Sequence, residues 1–143
     1  MTLHEVLKTV NGSLKGLSIS QPYPALLLTD HKHNETRSWK TNYRGPVLIH
    51  ASKTRNKTYL QNKALMDMAG DLYFGCGIAV GNLVDCIPIT EEYIATLPPD
   101  ELQTGFYSPG RYAWVFENVH PIDPVPMKGR LGLWNYKPEE SEE

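Results

Sequence analysis

The stretch LSISQPYPALLLTDHKHNETRSWKTNYRGPVLIHASK, residues 17–53, decides the fold class. Leu17 and Ile19 alternate with polar neighbours, the period-two pattern of a half-buried strand. Gln21-Pro22-Tyr23-Pro24 breaks that strand. Pro24 suits the first position of a short helix through Ala25, Leu26, Leu27 and Leu28, because the first helical residue has no intrahelical use for an N–H. Thr36 to Trp39 and Val47 to Ser52 read as further strands, joined through the turn residues Tyr43-Arg44-Gly45-Pro46. Short strands separated by proline and glycine turns make a strand-rich domain.

Outward from this stretch, residues 1–15 read as a short lead with at most one helical turn. Asn56 to Ala69 is the best helix candidate, with Leu60, Ala64, Leu65 and Met68 on one face and Gly70 to end it. Ile78 to Ile89 predicts a long strand with a bulge at Gly81, and Thr90 is an N-cap signal for a short helix through Leu97. Pro98 to Gly110 reads as a loop. Arg111 to Phe116 puts three aromatics on one side of a strand, and Pro121, Pro124 and Pro126 predict an irregular extended stretch before Leu131-Gly132-Leu133-Trp134. Trp134 reads as a core aromatic that closes a barrel. Glu139 to Glu143 predicts a disordered acidic tail. The pattern is mixed α/β and β-rich: a small β-barrel with two or three peripheral helices, one domain over residues 16–137, and a tail over 138–143.

The 143 residues suffice for one core without disulfide or metal staples. The first twenty lack a signal-peptide pattern, and two cysteines cannot build a disulfide framework, so the cytoplasm is the expected compartment and no membrane is involved. Glycosylation patterns at Asn11, Asn34 and Asn56 are then chance matches. Charge is unevenly distributed. Lys32 to Lys63 holds eight of the fourteen Lys/Arg and one of the sixteen carboxylates, Glu35, so it carries +7 in a chain of −2 and leaves −9 on the rest. A concentrated positive field attracts polyanions whatever the net charge, and nucleic acid is the leading partner. A solvated basic face without a ligand is the plain alternative.

Three features within residues 17–53 resemble the ASCH domain family, a branch of the PUA-like superfamily. They are the Gln21-Pro22-Tyr23 turn, Lys32-x-x-Glu35-x-Arg37 with Trp39, and Arg44-Gly45-Pro46 leading into Ile49-His50-Ala51-Ser52. Gly77 to Cys86, Arg111 to Asn118 and Gly129 to Trp134 are similar to the family's later strands, so the resemblance spans roughly residues 16 to 135. The family pattern is G-x-K-x-x-E-x-R, and in this chain Asp30 stands in place of the glycine. The resemblance implies a PUA-like β-barrel with a cleft near the Gln-Pro turn, proposed for RNA recognition. Some relatives look like hydrolases of modified nucleosides or RNA-cleaving proteins.

On a regular strand Glu35, Arg37 and Trp39 share a face. A carboxylate, a guanidinium and an indole can together engage a base edge, a phosphate and a stacked ring. The plain reading is a surface ion pair beside a core tryptophan. Lys32 converges on Glu35 only if residues 30–34 form a turn; in a desolvated cleft it then acts as base or nucleophile, with Glu35 relaying protons. Lys40, Arg44, Lys53, Arg55 and Lys57 are candidate phosphate contacts; Tyr23, Trp39 and Tyr43 are candidate stacking surfaces; Gln21 and Ser52 complete the candidate nucleic-acid-binding set. The five histidines lack a clear third ligand, so no metal or other cofactor is expected, and Cys76 and Cys86 read as inert thiols. The leading function is binding of RNA, or another single-stranded nucleic acid, with one nucleotide held in a basic cleft. The alternatives are a metal-independent hydrolase of RNA or of an acylated pyrimidine nucleoside, acting through Lys32 and Glu35, and an interaction module for an acidic protein.

Overall fold

The computed structural model describes residues 1–10 and 14–137. Asn11 and the acidic tail lie outside the described residues. Six strands, β1 (Leu14–Ile19), β2 (Asn34–Arg37), β3 (Gly45–Ala51), β4 (Cys76–Pro88), β5 (Tyr112–Pro126) and β6 (Leu133–Tyr136), form one sheet of order β2-β5-β4-β3-β1-β6. β1 and β3 run parallel and the other pairs antiparallel. Helices are short: α1 (Leu3–Thr9), α2 (Tyr23–Leu26), α3 (Lys57–Leu60), α4 (Lys63–Ala69), α5 (Glu91–Ile94) and α6 (Pro99–Gln103). No described helix is long and apolar enough to cross a membrane.

Three strands separate β1 from β2 in the sheet order. In a flat sheet such strands would stand roughly 19 Å apart. Yet Arg37 on β2 donates from Nη2 to the Ser18 carbonyl on β1 at 2.7 Å, so the sheet curls back on itself. Register shifts at Ile49/His50 on β3 and at three places along β4 and β5, one of them at Gly81, supply the bending. The mixed, strand-rich class holds. The sheet is not closed into a barrel by hydrogen bonding: among the described residues no ladder joins β2 to β6.

Alternate side chains divide the core between the two faces. Leu17, Ile19, Val47, Ile49, Ala79, Trp114 and Phe116 pack on one face with α2 and α4, while Leu14, Leu48, Val80, Ile122 and Tyr136 pack on the other against Leu3 and Val6 of α1. The lead is thus packed into the domain, with Thr2 capping a helix longer than the single turn expected.

Five local expectations change. The helix expected from Asn56 to Ala69 is two, because the Asn62 side chain accepts from Leu65 N and starts α4 afresh, just as Asn56 caps α3. Gly70 ends α4 at φ 73°. The stretch from Pro98 to Gly110 contains α6, with Pro99 in its first turn. The helix after Thr90 closes at Ile94, short of Leu97. The three prolines belong to β5 itself: β2 pairs only with Tyr112 to Val115, so the prolines sit where β5 has a single ladder partner and a missing N–H is tolerated. Trp134 is half-buried, lying over Gly16 and edge-on to His50, rather than in the main core.

Candidate functional site

Lys32 follows a turn over residues 27–31 and is 1% exposed. Asp30 keeps a negative φ, so the residue that replaces the family glycine needs no left-handed backbone. The Lys32 Nζ donates to the Thr104 carbonyl at 2.5 Å, lies 3.7 Å from Glu35 Oε1 and sits over the Tyr23 ring at 5.2 Å. The turn is held from outside by Glu101 of α6, itself buried, whose carboxylate accepts from His33 N at 3.0 Å and Asn34 N at 3.2 Å. Burial lowers the Lys32 pKa below 10.5, although the nearby carboxylates of Glu35 and Glu101 pull the other way.

β2 sets Glu35 and Arg37 on one face, with Trp39 just beyond the strand. Arg37 Nε is 3.3 Å from Glu35 Oε2 but poorly aligned, and it is a buried side-chain donor without a hydrogen bond. Trp39 stands edge-on to the buried Trp114 at 4.6 Å and is 38% exposed. Opposite, Tyr23, Tyr59 and Phe106 form an aromatic group with ring centroids 5.0–5.7 Å apart. Burial, with Tyr59 and Glu35 nearby, pushes the Tyr23 hydroxyl up to about 12. These groups line a recess of about 280 Å³ at the seam where β2 approaches β1, together with Ser18, Ser20 and Arg111. Three cations and one carboxylate face it, so its field favours an anion.

Other candidates fall elsewhere. Gln21 is buried, its amide spent on Tyr73 O and Ala25 N in shaping the turn, and the Gln21–Pro22 peptide is cis. Tyr43 donates to Pro46 O and braces the β3 turn. Arg44 bonds its own turn's carbonyls and lies 3.7 Å from Asp85. Arg55 stacks on Phe74 at 3.8 Å. Lys40 and Lys57 are exposed outside the recess, while Ser52 and Lys53 border a second cavity. The rings of His31 and His33 meet the carboxylates of Asp100 and Glu101, His120 meets the Asn118 carbonyl, and His50 lies between Ser18 and the Met127 carbonyl.

Sequence reasoning missed Tyr59, Phe106 and Arg111 in the recess and Thr104 and Glu101 behind Lys32. Tyr59 lay beside the expected apolar face, and Phe106, Glu101 and Thr104 lay in a stretch read as loop. Arg111 alone had a visible signal, at the head of the aromatic strand, where it donates to the carbonyls of Phe106 and Thr36.

No curated protein matches the chain. The family model of the ASCH domain matches residues 17–126, the span that contains the recess and most of the sheet, and the chain belongs to the ASCH domain family.

Proposed function

We propose that this protein binds single-stranded RNA and holds one nucleotide in the recess between β1 and β2. The observation that carries this is the convergence of Glu35, Arg37, Lys32 and an aromatic group on one small anion-favouring cavity. A volume of about 280 Å³ suits one base rather than a large ligand. Trp39 or the Phe106 face supplies a stacking surface, Glu35 accepts from a base edge, and Arg37 lends its positive charge to the wall. RNA is preferred to DNA because the chain resembles PUA-like modules. The curl of the sheet supports an incompletely closed PUA-like barrel whose open seam is the binding cleft.

Fluorescence anisotropy with matched single-stranded RNA and DNA tests this. Trp39→Ala should weaken RNA binding by about 1–3 kcal/mol, roughly 5- to 150-fold, if a base stacks there. RNA affinity indifferent to salt, or unchanged in both Trp39→Ala and Arg37→Ala, rejects the proposal.

A desolvated lysine with a lowered pKa beside a carboxylate supports a second reading, metal-independent hydrolysis. Neutral Lys32 would take a proton from water as the water adds to the acyl carbon, and Glu35 would relay that proton to the departing nucleoside nitrogen or oxygen, leaving free acid and nucleoside. Incubation with RNA and acylated nucleosides, followed by mass spectrometry, separates the two. Turnover that disappears in Lys32→Met supports the hydrolase; binding without turnover leaves the RNA module.

A further inference from the structure

On the other side of Ser18 lies a second cavity, of about 590 Å³, bordered by Ser52, Lys53, Lys128 and Arg130. Its lining contains three cations and no carboxylate. None of the three has a side-chain hydrogen bond or an ion pair among the described residues. Lys53 follows β3, whereas Lys128 and Arg130 come from the β5–β6 connection, outside the +7 segment. Folding therefore assembles a basic site that counting charge along the chain divides.

The connection is anchored against the sheet. His50 is buried; its Nδ1 meets Ser18 Oγ at 2.9 Å, and its Nε2 meets Met127 O at 2.9 Å. Met127 N donates to Gly75 O at 3.1 Å. Gly129 passes so close to Ser18 and His50 that an added Cβ would stand 2.7 Å from the imidazole. The Lys53 stem packs over Gly75. The anchored backbone fixes where Lys128 and Arg130 leave the connection, so both side chains border one cavity from a set position. Ser18 joins the two cavities: its carbonyl receives Arg37 at the recess, and its hydroxyl faces His50 at the second cavity.

We propose that this second cavity takes a phosphodiester of the same strand whose nucleotide occupies the recess. The ligand is then an oligonucleotide of at least two residues, not a free nucleoside or base. This rests on a nucleotide occupying the recess. Adjacent sites sharing one wall suit a polymer in which base and phosphate alternate, and a cation-lined cavity without carboxylates suits its phosphate.

The test is calorimetric titration of the full chain with the four nucleosides, a mixed-sequence RNA hexamer and a glutamate hexapeptide, over a range of salt. Lys128 and Arg130 are exposed, so Lys128→Ala/Arg130→Ala should fold normally. Its hexamer affinity should fall about tenfold or more, and its salt dependence should flatten by about 0.7 in log–log slope per lost phosphate contact, with nucleoside binding unchanged. Unchanged hexamer affinity and slope in this variant, while Trp39→Ala still weakens binding, would overturn the phosphate site and leave the recess intact. Hexamer binding indifferent to both Trp39→Ala and Arg37→Ala would overturn the recess and with it the shared strand. Nucleosides binding as tightly as the hexamer, or the glutamate peptide competing equally with it, would also overturn the inference.

Discussion

Two titrations isolate the groups on which the recess is built. Lys32 has a folded-state pKa below 10.5, so the unfolded chain holds more protons between the two values. The cost of the buried charge is present below that window and disappears as pH rises through it, so stability should climb there. Urea melts across pH should show this climb in wild type and not in Lys32→Met. Tyr23 has the opposite sign: its hydroxyl sits at about 12 against 10, so stability should fall as pH rises from 10 to 12. Tyr43, Tyr93 and Tyr107 are also raised, so the measure is the difference between wild type and Tyr23→Phe, which should lose less over that range. The shared face of Glu35 and Arg37 was visible in the chain because it follows from strand alternation, whereas Lys32, three residues before Glu35, joins them only through the turn that precedes it. The partners Thr104 and Glu101 were not, since they reach Lys32 and His33 across about seventy residues.

At the scale of elements, α6 makes the site possible. Expected as loop, it brings a carboxylate to two backbone donors of the Lys32 turn and a carbonyl to the lysine itself. Glu101→Ala strips the carboxylate from the buried Asn34 N–H and the part-buried His33 N–H, and denaturant unfolding should show a loss of about 1–3 kcal/mol. Helix caps were legible where one residue type at the end of a run decides them, as at Thr90 and Gly70. They were missed where a cap interrupts a periodic run. Asn62→Ala should therefore weaken the start of α4 at a cost of about 1 kcal/mol, measured the same way. The prolines of β5 misled for a related reason: a missing donor is disallowed only where a second strand needs it, and which edge lies open is set by the whole sheet.

For the whole molecule, the sheet carries two apolar faces and needs both covered. Val6 of α1 is 3% exposed on the second face. Val6→Ala should lower unfolding free energy by about 1–3 kcal/mol by urea titration, although α1 contributes no residue to the recess. The chain by itself determined the strand-rich class, the shared face of Glu35 and Arg37 and the basic middle segment, because alternation, turn chemistry and charge are local properties. It also carried the family motifs, whose residues stand close together in sequence. Tertiary structure decided that the sheet curls without closing, that Lys32 is buried against Thr104, and that Lys53 borders one cavity with Lys128 and Arg130. Each joins groups distant in sequence, and such meetings depend on sheet order and curvature, to which no single segment responds.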